Sequence, residues 1–408
     1  MIEKKYIYAY AFKNAVEHNG KAVAGSVISG LFNHGLTKDK IKEVLPEINK
    51  IVSEVNSIDF EKQKSEFEKY FELIGHRPER GDELPELPNV DLKKGVIMRF
   101  APAASGQLHI GHVIAGIPSS IYVQKYGGKF YVRIEDTNPE KTDPDSYKGF
   151  VRDLNWLFGN VTEYIIQSDR LPIYYKYAEE FIKRDSAYVC TCDNDKFKEL
   201  VNNKKPCPCR KREILENFNL WKKMLDKNGF NEGEAVLRFK SNLENPNPAL
   251  RDFPLARINT HNHPRQKKKF RVWPLMNLSV TVDDIEYKMT HIIRGKDHKD
   301  NSERQKMMYK VLGKENEFPY TIFVGRVKFK DIVLSKSKIK AAIEDGGYEG
   351  WDDVRLPTLL SLIKRGYQRE AFFKFAIQRG ISETDKVITQ ADLFKIINAK
   401  IITKKKCS

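Results

Sequence analysis

The run Val96-Ile97-Met98 is short and apolar, and it leads at once through Arg99 into the small-residue stretch Ala101-Pro102-Ala103-Ala104-Ser105-Gly106. Such a run reads as a buried parallel strand. From Val113 to Tyr126 the apolar residues recur at helical spacing. Strand, small-residue loop and helix in that order constrain the chain to an α/β sheet. They put backbone N–H groups and a positive dipole end at the loop, where an anionic phosphate can sit. Gly106 and Gly111 let ligand and backbone approach closely. His109 and His112 lie three apart, so on a helical first turn both rings point to one side. An imidazole there can donate to a phosphoryl group without the full desolvation cost of a lysine.

A His-x-x-His pair alone is as readily a chance pair or a metal fragment. A second stretch far downstream, Val333-Leu334-Ser335-Lys336-Ser337-Lys338, sharpens it. Together the two stretches resemble the paired signature motifs of class I aminoacyl-tRNA synthetases. Val132-Arg133-Ile134-Glu135-Asp136-Thr137-Asn138-Pro139, Val282-Asp283-Asp284 and Ile293-Arg294-Gly295-Lys296-Asp297-His298 narrow the resemblance to glutamyl-tRNA synthetases of archaeal and eukaryotic type. The matching lines run in order through nearly the whole chain.

The resemblance implies a Rossmann-type parallel-sheet catalytic domain in two halves, 91–189 and 272–345. An inserted zinc-containing acceptor-binding domain, 190–271, lies between them. An N-terminal helical domain, 1–90, and a C-terminal helical stem-contact region, 346–408, flank them. It also implies ATP-dependent activation of glutamate to glutamyl-adenylate, with transfer to the 3′ end of tRNA(Glu). His109, His112 and Lys336 would be catalytic. Gly106, Gly111, Ser335 and Ser337 would join them around ATP and its Mg²⁺, and Arg99, Ala101, Glu135 and Arg294 would hold glutamate.

The residues themselves support parts of this picture. Lys129 to Ile134 reads as a second strand, which leaves Glu135 and Asp136 at its carboxyl end, where open parallel sheets place ligands. An acid there can hold an α-ammonium group or a metal, and the resemblance gives Glu135 the amino group of glutamate; Asp136 stays open between ligand and helix cap. Arg294 emerges at the end of another buried strand, Ile292-Ile293. Arg99 and Arg294 can grip a buried carboxylate with forked donors. An amide ligand would leave Arg294 buried against a neutral group, at a cost on the order of several kcal/mol, so glutamate is favoured over glutamine. Trp273 to Val282 reads as a further strand closed by Asp283 and Asp284. Ser335-Lys336-Ser337 reads as a loop whose lysine can meet phosphates as a mobile point charge.

Cys190-Thr191-Cys192 and Cys207-Pro208-Cys209 supply four thiolates, enough for a closed tetrahedral structural Zn²⁺. The cation-rich insert, including Arg257, Arg265 and Lys267-Lys268-Lys269, fits phosphate contacts with RNA. Lys+Arg 71 against Asp+Glu 55, a formal +16, also favours a polyanionic partner. Residues 1 to about 90 read as helices broken at Asn19-Gly20, then a linker from Arg77 to Pro88. The first is a candidate docking piece for a multi-synthetase assembly, or a structural cap. With no long apolar span and no signal-peptide core at Met1-Ile2-Glu3-Lys4-Lys5, a cytoplasmic, membrane-free protein is expected.

Three features depart from the family pattern. Ala103-Ala104 stand where polar or rigid residues are usual, and Met276 where an aromatic hydroxyl usually lines the amino-acid pocket. The sequence stops at Lys404-Lys405-Lys406-Cys407-Ser408, where relatives continue into anticodon-reading barrels. The catalytic part of a split or truncated enzyme, with a separately encoded anticodon-binding subunit, is therefore one expectation. A non-catalytic tRNA-binding or assembly module is the rival, and a glutaminyl-tRNA synthetase is another.

Overall fold

The computed structural model describes residues 2–74, 83–331, 336–389, 391 and 393–395. The chain divides into two compact units, residues 1–81 and 82–408.

The first unit holds four helices, α1 (Lys4–Glu17), α2 (Ala24–Leu31), α3 (Ile41–Asn56) and α4 (Phe60–Tyr70). Asn19 and Gly20 take positive φ and break α1 from α2, as the Asn-Gly pair predicts. The next turn is fixed by Asn14 and Asn56, whose Oδ1 atoms accept from Val23 N and Ala22 N. Ile7, Ala11, Val27, Leu31, Ile48, Ile51 and Val55 form a dry core between these helices. The Asp59 carboxylate caps α4 by accepting from Glu61 N.

The second unit is built on parallel strands. β1 (Val96–Phe100), β2 (Gly128–Ile134) and β3 (Glu163–Ile166) form one ladder in the order β1-β2-β3. They alternate with α5 (Ile110–Tyr126), α6 (Asp145–Phe158) and α7 (Leu171–Lys183). The chain then leaves the parallel sheet. β4 (Ala187–Cys190), α8 (Asn194–Asn202), α9 (Ile214–Leu225), β5 (Val236–Phe239), β6 (Pro254–Ile258) and β7 (Val272–Pro274) follow, and the four strands make an antiparallel sheet in chain order. After α10 (Met276–Glu286) the chain returns to a parallel pair, β8 (His291–Gly295) and β9 (Tyr320–Val324), separated by α11 (Lys299–Val311). Thr290 joins this pair to the first ladder on the free side of β1: its N–H donates to Ile97 O, and its Oγ1 accepts from Ile97 N, both at 2.9 Å. The sheet thus reverses direction of growth at β1, the crevice where doubly wound sheets bind ligands.

β10 (Val327–Phe329), α12 (Lys336–Glu344), α13 (Leu359–Lys364), α14 (Arg369–Arg379) and β11 (Lys386–Ile388) complete the unit. Leu359, Leu362, Phe372 and Phe375 enter the same core as Met98, Ile114, Phe130, Val132 and Leu154. Gly116 is needed there, because a Cβ would stand 2.9 Å from the Phe100 ring and 2.8 Å from that of Phe158. A second core joins the antiparallel sheet to α7, α9, α10 and α11 through Tyr174, Trp221, Leu237, Leu255, Trp273, Val282 and Met308. Among the described residues no helix is long and apolar enough to cross a membrane.

Four sequence readings need correction. Trp273 to Val282 is not one strand: Pro274 ends β7, and Asn277 to Ile285 are buried around the whole of α10. A helix buried on every side lacks the one-faced pattern that separates helix from strand. Lys336 opens α12 rather than lying in a loop. The C-terminal region is not purely helical, since β11 pairs in parallel with β10. The expected linker is packed where it is described: Leu84 and Leu87 are buried, and Tyr122 Oη donates to Pro85 O at 2.6 Å.

Candidate active site

β1 runs straight into the small-residue loop, and Glu135 N donates to Pro102 O while Ala104 N donates to Glu135 O. The loop therefore extends the β1–β2 pairing past Ala101 and brings the ends of both strands together. Gly106 adopts φ +119, a conformation that side chains rarely take, and its N–H donates to Ser146 Oγ at 2.9 Å.

His109 is the N-cap of α5, and its ring centroid lies 3.7 Å from that of His112. His109 Nδ1 accepts from Gly111 N at 3.2 Å, and His112 Nδ1 from His109 N at 3.5 Å. Burial, and then the charge of Lys336, push His109 down to about 3; burial also holds His112 well below its ordinary value. Both rings are therefore neutral near pH 7, with Nδ1 occupied as acceptor and the proton on Nε2, ready to donate.

The helix start does not offer the free backbone N–H groups expected from the sequence. Ile110 N donates to Pro357 O, Gly111 N to His109 Nδ1, and His112 N to His109 O. Residues 357–359 also hold the backbone on either side of His109: Leu359 N donates to Leu108 O, and Thr358 bridges His109. Thr358 is fully buried, and its Oγ1 donates to Trp351 O and accepts from Ser361 N.

Lys336 reaches the same loop from α12. Its Nζ donates to Gly106 O at 3.0 Å and Ala103 O at 3.2 Å, 5.5 Å over the Phe150 ring. Burial pushes it down to about 8. Ser335 and the side chain of Ser337 lie outside the described residues.

Beside this cluster a chain of buried charges crosses the strand ends. Arg99 Nε and Nη2 donate to the two oxygens of Asp284, at 3.1 and 3.4 Å. Arg133, with no exposed surface, donates from Nη1 to Asp284 Oδ1 at 2.5 Å and from Nη2 to Glu135 Oε1 at 3.2 Å. Burial works against ionisation of Asp284, but Arg99 and Arg133 hold it below the usual carboxylate range. Arg294 stands apart from these pairs. Its Nη1 donates to Ser302 Oγ at 3.2 Å and Gln305 Oε1 at 2.9 Å, and its Nε has no hydrogen-bond partner among the described residues. Burial, and then Arg99, push it down to about 10, so it is charged at pH 7.

Asp136 is structural. It accepts from Ser168 N, Ser168 Oγ and Tyr147 Oη, which leaves it buried inside the fold. His263 Nδ1 accepts from Arg265 N and Gln266 N, so its proton sits on Nε2 and bonds Asp136 O at 2.9 Å.

The cysteines converge at the end of β4. Cys190, Cys192, Cys207 and Cys209 place their Sγ atoms all within 4.8 Å of one another. Cys190–Cys207 are 3.9 Å apart and Cys192–Cys209 3.6 Å, and all four thiols are free. Zn–S bonds of about 2.3 Å in a tetrahedron put sulfurs roughly 3.8 Å apart, so the donor set fits a metal ion such as zinc. Thr191 N donates to Cys209 Sγ at 3.4 Å, a contact that supports a thiolate.

A parallel sheet with a crevice at its switch point, a paired-histidine loop and a distant lysine folded onto it have the arrangement of a nucleotide-using synthetase site. Residues 95–404 match the family model for the catalytic domain of class I tRNA synthetases, E and Q type. Glutamate--tRNA ligases of Methanocaldococcus jannaschii and Pyrococcus horikoshii are each 43% identical, over 403 and 408 residues. In both comparisons 98% of this chain is covered and 70% of the relative. A crystal structure of a glutamate tRNA ligase from Elizabethkingia meningosepticum, in complex with its amino acid, shares the fold at TM-score 0.55 and 19% identity, covering 76% of this chain and 70% of that one. The chain belongs to the class I glutamate and glutamine tRNA synthetase family and groups with its glutamate--tRNA ligases.

The structure brings Arg99, Glu135, Gly106, His109, Gly111, His112 and Lys336 together at the ends of β1 and β2, with Ala101 in the connecting loop and Arg294 at the end of β8. Sequence reasoning missed Arg133, Ser302, Gln305 and Thr358. Only the spacing of Ser302 and Gln305 on one helix face hinted at any of them.

Proposed function

We propose that this pocket holds glutamate and ATP side by side and ligates glutamate to tRNA. The observation that carries the reading is Arg294: a half-buried guanidinium at a strand end, held by neutral groups and with no carboxylate in ion-pair contact among the described residues. A γ-carboxylate completes it, whereas an amide leaves its charge uncompensated. Glu135 binds the α-ammonium group, and Arg99 and the loop at Ala101 line the remaining wall.

The α-carboxylate attacks the α-phosphorus in line, the bond to the β-phosphate oxygen breaks, and pyrophosphate leaves. His109 and His112 donate from Nε2 to phosphate oxygens. Lys336 leaves the Ala103 and Gly106 carbonyls to meet the charge that builds on the phosphates. Mg²⁺ bound to ATP would supply further positive charge to the phosphates. A ribose hydroxyl of the tRNA terminal adenosine then attacks the glutamyl carbonyl, and AMP departs. Positioning and electrostatics carry the rate in this scheme, with no covalent intermediate on the protein.

The antiparallel insert grips the acceptor end of tRNA(Glu); its Cys190, Cys192, Cys207 and Cys209 would hold a structural Zn²⁺, which would cross-link the end of β4 to the Pro208 turn. Lys205 and Lys211, both exposed beside these cysteines, support that role. The region after α12 contacts the RNA stem, and the first unit serves as a docking piece. The reaction belongs in the cytoplasm.

The test is glutamylation of total tRNA by this chain with ATP, Mg²⁺ and labelled glutamate, with glutamine as the control. Charging with glutamate and not glutamine is expected; charging with glutamine alone, or with neither, refutes the reading.

A further inference from the structure

Arg99, Arg133 and Asp284, all buried, and the half-buried Arg294 and Glu135 form one charge cluster at the strand ends. Its three guanidiniums face two carboxylates. Asp283, the neighbour of Asp284 on α10, accepts from Arg170 Nε at 2.7 Å, Gln167 Nε2 at 2.9 Å and Tyr174 Oη at 2.9 Å, and lies 3.9 Å from Arg133 Nε. Its shortest ion pair is with Arg170, so the two together add one anion and one cation and leave the excess of one positive charge unchanged. The excess positive charge of the cluster therefore has one place to reside, and the pairings put it on Arg294.

Asp284 decides that distribution. It is 3% exposed and takes donors from both Arg99 and Arg133, so its carboxylate is committed to these two guanidiniums. By holding Arg133 it also leaves one of that residue's Nη groups aimed at Glu135, which remains partly exposed toward the pocket. Without the Asp284 charge, two buried guanidiniums would repel each other, and Glu135, nearer to Arg133 than Asp283 is, would be drawn in to offset them.

We infer that Asp284 is the positioning residue for amino-acid selectivity: it neutralises Arg99 and Arg133 jointly, so that Arg294 alone awaits a side-chain carboxylate and Glu135 stays available for the ammonium group. The inference rests on the glutamate reading above and deepens it. It assigns discrimination to the charge count of the cluster and not to Arg294 in isolation. The same logic makes Arg133, which has no exposed surface, a partner in selectivity.

The test is calorimetric binding of glutamate, glutamine and ATP to the full chain, in wild type, Asp284→Asn and the double variant Asp284→Asn with Arg133→Gln. The single variant raises the excess charge by one; the double variant restores it. Asp284→Asn is expected to weaken glutamate binding by about ten-fold or more and to lower the glutamate preference similarly, with ATP affinity within about two-fold of wild type. The double variant is expected to recover at least half of the lost preference, on a logarithmic scale, and it serves as the folded comparison if the single variant is unstable. Wild-type preference in Asp284→Asn, parallel loss of glutamate and ATP binding, or no recovery in the double variant overturns the inference. A wild-type chain that prefers glutamine overturns both this inference and the functional reading, so the two failures are distinguishable.

Discussion

Arg294 Nη1 and Gln305 Oε1 meet at 2.9 Å, and this bond aims a half-buried guanidinium whose Nε is left without a partner. A helix residue thus orients a strand-end cation before any ligand arrives.

Replacing the cation should be costly. Arg294→Gln is expected to lose about 3 kcal/mol of glutamate binding, roughly a hundred-fold in KM, with the ATP KM little changed. Gln305→Leu removes only the aiming bond and should cost about 1 kcal/mol. Steady-state charging at varied glutamate checks both, and an unchanged glutamate KM in Arg294→Gln would remove its assigned role.

Lys336 carries its charge only while protonated, and burial places its transition at about 8. Adenylate formation should therefore fall as pH rises through that value, because the neutral amine no longer offsets phosphate charge. Lys336→Arg should move the alkaline limb upward even if the maximal rate drops. A pH–rate profile of pyrophosphate exchange in the presence of tRNA measures this.

The His109 ring stays neutral in the fold down to about pH 3, whereas an unfolded histidine titrates near 6.5. Between those values the unfolded chain binds the additional proton, so folding stability declines as pH falls from 6.5 toward 3. The slope is at most about 1.4 kcal/mol per pH unit from this group. Urea midpoints across that window should flatten in His109→Asn; an unaltered slope would mean that the ring is not held neutral.

The sulfur cluster predicts one zinc per chain by elemental analysis. Cys207→Ser should lose the metal and lower the melting temperature, since three remaining ligands leave the site open. Full retention of zinc in that variant would show that the cysteines are not its ligands.

Thr358→Val keeps the shape and removes the hydroxyl that bonds Trp351 O and Ser361 N. A cap of this kind is worth about 1 kcal/mol of stability. Because residues 357–359 pin the backbone around His109, the adenylation rate should fall several-fold while the glutamate KM holds. Equal losses in both would make Thr358 a stability residue alone.

What the sequence disclosed were local patterns. The His109–His112 pair and the two Cys-x-Cys pairs depend on spacings of two or three residues, so their geometry follows from a turn or a bend. The strand assignments at Val96, Lys129 and Ile292 rested on short apolar runs of the right length. Long-range partners were invisible: nothing near Arg99 announces Asp284, and nothing near His109 announces Pro357. The α10 misreading has the same root, because Asn277 to Ile285 is buried by different neighbours on every side. The free helix N–H group expected at Ile110 failed because its acceptor, Pro357 O, arrives from far along the chain, whereas Gly111 N is taken locally by His109 Nδ1.

Leu108 and Leu359 share a hydrogen bond although about 250 residues separate them in the chain. A polypeptide emerging from the ribosome can assemble its β1–β2 ladder early, but it must wait for residues 357–359 before the backbone on either side of His109 is fixed. The order of synthesis therefore delays the completed phosphate-side loop until most of this fold exists.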